Sequence, residues 1–210
     1  EDFTVKKLSC LLTLSLCLTL TAACGSASSD QPAPTGDPGQ SPVVAVSAPP
    51  AGEVTPYTGA TFGLSRSAMA EAMSNTFSSS DLPNAFENDP DISELPDAEN
   101  GDLVAYSYSI CPGASCILYE AKDSGELTQV FLTGDSSQLS ESDAKVFGSY
   151  LAVVTGGFSS SEEIASLDES LDIANAAFTD GTMNFFNGES ASFSYIVTGG
   201  LAMLTVLPPL

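Results

Sequence analysis

The 210 residues carry five Lys+Arg against 27 Asp+Glu, a net charge of −22, and 43% are hydrophobic. That apolar share suffices for a packed core and excludes global disorder, while the charge excludes nucleic acid as a partner and unaided binding to an anionic membrane surface. With no His and no Trp in the chain, the usual general base, the commonest metal ligand and every Ser-His or Cys-His nucleophile pair are missing, so the sequence points to no catalytic residue, no metal site and no cofactor.

In chain order, Lys6-Lys7 precedes an apolar run from Leu8 to Leu20, which ends in Thr21-Ala22-Ala23-Cys24. Basic, apolar and small-residue parts in that order make a secretory signal peptide, and the run falls short of the roughly 20 residues that span a bilayer. Leu20, Thr21, Ala22, Ala23 and Cys24 resemble the lipobox of bacterial lipoproteins, a likeness that covers residues 6–24. The resemblance implies cleavage before Cys24, a diacylglyceryl group on its thiol and a place at the cell membrane on the extracytoplasmic face. Residues 1–23 are then a signal peptide that removes as many acids as bases (Glu1, Asp2, Lys6, Lys7) and leaves the mature charge at −22. Attachment therefore rests on the acyl chains, which bury CH₂ groups at about 0.8 kcal/mol each.

Residues 24–56 follow as a tether. Between 25 and 55 stand six prolines and no aromatic residue, a composition that cannot offset its ordering entropy and stays extended and solvated.

From Tyr57 the composition becomes that of one α+β domain, 57–210. Phe62, Met69, Met73 and Phe77 recur at helical spacing and predict a helix over Ser65 to Phe77. Residues 81–102 hold eight acids and three prolines and read as a long acidic loop. Val104, Tyr106, Tyr108 and Ile110 then alternate with Ala105, Ser107 and Ser109, the mark of a strand with one buried face. Pro112-Gly113 and Asp123-Ser124-Gly125 turn the chain into strands over Cys116 to Ala121 and Leu127 to Leu132, a meander. Ser140 with Asp143 caps a helix with Ala144, Phe147, Leu151 and Val154 on its apolar face, ended by Gly156-Gly157. Ser160 with Glu163 caps a second, bearing Ile164, Leu167 and Leu171. Strands over Thr182 to Phe186, Ala191 to Val197 and Leu201 to Leu207 complete an antiparallel sheet of about six strands, with helices on one face.

Asn100 to Ile110 aligns without gaps on Asn187 to Val197. This echo is either the remnant of a tandem of helix plus three strands, with halves 57–135 and 140–210, or a coincidence between Ser/Gly-rich hairpins. In both segments the large residues share one parity, and Ser107, Ser109, Ser192 and Ser194 share the other. Side chains of one parity leave one sheet face, so these serines are expected to form a flat hydroxyl surface where a protein partner docks.

Cys10 and Cys17 lie in the signal peptide and Cys24 is the lipid acceptor, which leaves Cys111 and Cys116 on either side of a Pro-Gly turn. In an oxidising compartment that pair is expected to form a disulfide. The acids Glu87, Asp89, Asp91, Glu94, Asp97, Glu99 and Asp102 are expected to be a solvated face, because Gly101 falls at the fifth position from Asp97 where a calcium loop needs its glycine at the sixth. The sum is a non-enzymatic, lipid-anchored extracytoplasmic domain that binds a protein or an envelope component, with a small-solute or calcium-binding lipoprotein as the alternative.

Overall fold

The period-two segments pleat and pair, and with one further strand they form one antiparallel sheet of seven, as the sequence implies in kind though not in number. A computed structural model describes residues 54–209. The signal peptide, Cys24 and the tether up to residue 53 lie outside the described residues. The strands are β1 (Asp91–Leu95), β2 (Leu103–Cys111), β3 (Ala114–Ala121), β4 (Leu127–Asp135), β5 (Met183–Asn187), β6 (Ser192–Thr198) and β7 (Leu201–Leu207). Across the sheet they run β1-β2-β3-β4-β7-β6-β5, so two meanders meet where β4 pairs with β7, from Val130↔Val206 to Asp135↔Leu201. The echo segments hold equivalent places, each containing the strand second from an edge.

The strand absent from the sequence reading is β1, inside the acidic stretch. Four of its five residues are exposed and the fifth is half-buried, so it has no buried face to imprint an alternation. An edge strand of this kind is legible only through its pairing with β2, Asp91↔Ser107 to Leu95↔Leu103.

The helices α1 (Arg66–Ser78), α2 (Glu141–Gly157) and α3 (Ile164–Leu171), followed by the single turn α4 (Ile173–Ala176), pack on one sheet face. Ser65 caps α1 by accepting from Ala68 N–H. Ser140 and Asp143 form the full reciprocal capping box at α2, which satisfies two donors that a helix start leaves orphaned. At α3 only half of the expected box exists: Glu163 accepts from Ser160 N–H at 2.9 Å, but no side chain caps the helix. Glu163 also accepts from Glu189 N–H at 2.5 Å. Its carboxylate thus ties the start of α3 to the β5–β6 turn, and both backbone bonds, Ser160 first, hold its carboxyl below the usual range.

Met69, Met73 and Phe77 of α1, Phe147, Tyr150, Leu151 and Val154 of α2, and Leu167 and Leu171 of α3 share one core with the even-numbered side chains of β2, β3, β4 and β7 and the odd-numbered ones of β6. Each large side chain so buried contributes about 1.5–3 kcal/mol from the transfer of apolar surface. Gly134 is needed where β4 passes α2: a Cβ there would stand 2.8 Å from the Phe147 ring.

Candidate functional site

The face of the sheet turned away from the helices is built by the register alone. One row crosses all seven strands: Asp91, Ser107, Ile117, Phe131, Thr205, Ser194 and Phe185. The next row carries Ser109, Ser115, Thr133, Met203, Ile196 and Met183. Only the edge residue Asp91 is charged in these two rows, in a chain with 27 acids. Charge is thus kept off these two rows beyond the β1 edge.

The four serines lie on that face but do not form one open surface. Ser109 is exposed and Ser107 half-buried, whereas Ser192 and Ser194 are 8% and 7% exposed. Strands β3, β4 and β7 separate β2 from β6, about 19 Å at 4.8 Å per strand. Large side chains, Ile117, Phe131 and Met203, fill the gap. The expected flat hydroxyl patch is therefore corrected to two small patches divided by apolar residues, because the joining of the meanders through β4 and β7 sets the distance between the echo segments. Among the described residues, Gln129 Nε2, Thr133 Oγ1 and Ser192 Oγ are buried without a hydrogen-bond partner.

Exposed apolar side chains occur towards the other edge of the same face. Met183 and Phe185 of β5 are 53% and 45% exposed, and Leu207 of β7 is 37% exposed. Sequence reading missed them as site residues because Met183-Asn184-Phe185-Phe186-Asn187 reads as an ordinary half-buried strand. Its place at the sheet edge is what strips cover from one side.

Cys111 and Cys116, the pair expected to form a disulfide, are both free thiols in this structure. A register shift between Ser109 and Cys111 sets Cys111 opposite Ala114 and Cys116 opposite Tyr108, and the two cysteines do not face each other across the hairpin. Cys116 is fully buried, and burial pushes its thiol up to about 12. Cys111 Sγ contacts the carbonyl of Asp143 at 3.9 Å.

Three of the acids between residues 87 and 102 serve separate structural tasks, while Asp89, Asp91, Asp97 and Glu99 are exposed. Glu87 accepts from Ser78 and Asn84, Glu94 pairs with Lys122 at 2.7 Å, and Asp102 accepts from the backbone of Thr55 and Asp97. Among the described residues no three His, Cys, Asp or Glu side chains gather as a metal site would require.

Arg66, the chain's one arginine, is spent on the fold. It lies 4.2 Å over the Tyr106 ring, donates to Tyr108 Oη at 3.1 Å and stands 3.6 Å from Glu120. Tyr106 donates in turn to Glu120 at 3.2 Å, and burial, with Glu120 beside it, raises the Tyr106 phenol above its ordinary value.

An apolar cavity of about 410 Å³ lies between α2 and the α3–α4 segment, with Ala144, Gly148 and Ala152 on one wall and Ile173 and Phe178 on the other. Its roof bends at Asp172 and Ala177, both at positive φ (46° and 36°), and Tyr195 Oη donates to the Ala177 carbonyl. The Tyr195 hydroxyl is held protonated by burial, which pushes it up to about 12. Among the described residues no helix is long and apolar enough to cross a membrane.

Comparison with known proteins returns no match to any family model, to any curated protein or to any solved structure.

Proposed function

We propose that this chain is a non-enzymatic domain, lipid-anchored through Cys24 on the extracytoplasmic side of a bacterial cell membrane, and that it binds a protein or an envelope component. The observation that carries the binding role is the exposure of Met183, Phe185 and Leu207 on one uncharged stretch of sheet in a chain of net charge −22. Met183 and Phe185 stand side by side on the outermost strand, and bare apolar side chains inside a strongly charged surface support a place of association. The anchor role is supported by the Leu20-to-Cys24 lipobox and the proline-rich tether that follows.

Two measurements test the reading. Photo-crosslinking groups placed at position 185 or 183 of the full chain in membranes are expected to trap one macromolecule, and the same group at the exposed Ile164 is not. Equal or no trapping from both places would end the binding role. Cys24→Ser is expected to move the protein from the membrane to the soluble fraction, and an unchanged membrane fraction would end the anchor.

The cavity between α2 and α3–α4 favours a second reading, in which the domain holds a small apolar solute. Its volume is within the range of small-ligand pockets, about 300–1,000 Å³.

A further inference from the structure

We infer that the free edge of β5 receives an extended cationic peptide segment of a partner protein as an added strand, a proposal that rests on the protein-binding reading above and names its chemistry. The backbone supplies the first part. Val197 N–H donates to the Thr182 carbonyl and Gly188 N–H to the Ala191 carbonyl, which puts Asn184 and Phe186 of β5 in the hydrogen-bonded pairs with Tyr195 and Phe193 of β6. In an antiparallel ladder the alternate residues point their N–H and C=O groups the other way. Met183, Phe185 and Asn187 therefore aim theirs outward, where no described strand lies beyond β5. The side chains of Met183 and Phe185 are also the exposed ones, so one set of residues offers both the ladder and the apolar footing.

The two sheet edges are treated differently. At β1 the strand bears Asp91 and Glu94 and is flanked by Pro90 and Pro96, the charges and prolines that keep an edge from pairing. The β5 strand has no charge and no proline. An edge left unprotected in the same sheet that guards its other edge is one that pairs with something.

Charge decides the class of partner. From residue 146 to 210 there are seven acids and no Lys or Arg. Asp180 and Glu189 bracket β5, and the Glu163 carboxylate stands at the β5–β6 turn, where it accepts from Glu189 N–H. A second copy of this chain would bring the same acids against themselves. An added strand turns alternate side chains to the two faces, so apolar residues would lie beside Met183 and Phe185 while basic ones lie on the other face, in the field of Asp180, Glu189 and Glu163.

The test uses the full chain and a short synthetic peptide of alternating Val and Lys. The peptide is expected to bind, to slow amide exchange at Met183, Phe185 and Asn187, and to bind roughly tenfold or more tightly than its Val/Glu counterpart. Methylating the alternate peptide nitrogens that face β5 is expected to abolish binding. Phe185→Pro removes an outward N–H without breaking the β5–β6 ladder, and it is expected to do the same. Should that variant fail to fold, the methylated peptide decides. No binding of the Val/Lys peptide, binding indifferent to methylation, or exchange protection elsewhere would overturn the proposal. A macromolecule trapped from position 185 together with any of these results would overturn the edge alone and leave the protein-binding reading standing.

Discussion

Thr55 and Asp102 grip each other through two hydrogen bonds, 47 residues apart in sequence: Thr55 N–H donates to Asp102 Oδ2 at 3.1 Å, and Asp102 N–H donates to the Thr55 carbonyl at 2.9 Å. Asp102 Oδ1 also accepts from Asp97 N–H at 3.0 Å, within the β1–β2 turn. One carboxylate therefore closes that turn and fastens the chain at the point where it enters the sheet. Gly101 makes the approach feasible, since at φ 124° it lies against Pro56 and Tyr57 where a Cβ would collide with backbone.

The clamp gives a pH signature. The Asp97 and Thr55 amides hold the Asp102 carboxyl below its usual range. A group with a depressed folded pKa contributes stability that is fully present above the unfolded value, about 3.9, and is lost as pH falls through the folded value. Asp135 and Glu163 are depressed in the same direction, so the wild-type decline in acid is shared. The expected result is that Asp102→Asn melts lower than wild type at pH 7, and that the gap closes as pH falls below about 3.9. A gap of constant size across a thermal melt series would refute the clamp.

Tyr150 is fully buried, stacks on Phe77 with ring centroids 3.9 Å apart, and uses its hydroxyl twice. It donates to the Pro83 carbonyl at 2.6 Å and accepts from Ala85 N–H at 2.8 Å. Tyr150→Phe keeps the ring and strands both backbone groups, which is expected to cost about 1–3 kcal/mol in denaturant unfolding. A cost near zero would mean that water reaches the Pro83–Ala85 loop.

The thiols separate by burial. In the native protein Cys116 is expected to resist thiol reagents at neutral pH, since it is fully buried and its thiol is pushed up to about 12. The half-buried Cys111 is expected to react slowly. Unfolding without reductant is expected to expose both to labelling, counted by mass spectrometry, and two unlabelled cysteines would show a bond that this register does not hold.

Gly148 sits in the middle of α2 beside the cavity, and a Cβ there meets nothing within 4 Å. Gly148→Ala is expected to stabilise the fold by about 0.5–1 kcal/mol, through a smaller entropy loss on forming the helix. For a domain of this size that is a rise of about 1–4 °C in Tm. A lower Tm would show that the cavity closes around Gly148 in solution.

The parts legible in the sequence are those written in local periodicity. Alternation in Val104 to Ile110 and in Ala191 to Val197 assigns the helix-facing side chains correctly, because a strand repeats every two residues and one buried face demands apolar groups there. Helical spacing gives Met69, Met73 and Phe77, which are all buried, and Ser140 with Asp143 marks the start of α2. The absence of His and the surplus of acid are properties of composition and needed no fold. Tertiary structure decided everything that depends on which strand lies next to which. Strand β1 leaves no pattern because neither of its faces is buried. The shift between Ser109 and Cys111 moves the two thiols out of opposition, and a bulge of one residue has no signature in a Cys-Pro-Gly-Ala-Ser-Cys hairpin. The distance between the serines, and the bareness of Met183 and Phe185, follow from β4 joining β7 and leaving β5 outermost. Such pairings are chosen by the free energy of burying whole faces against each other, which no local stretch of sequence contains.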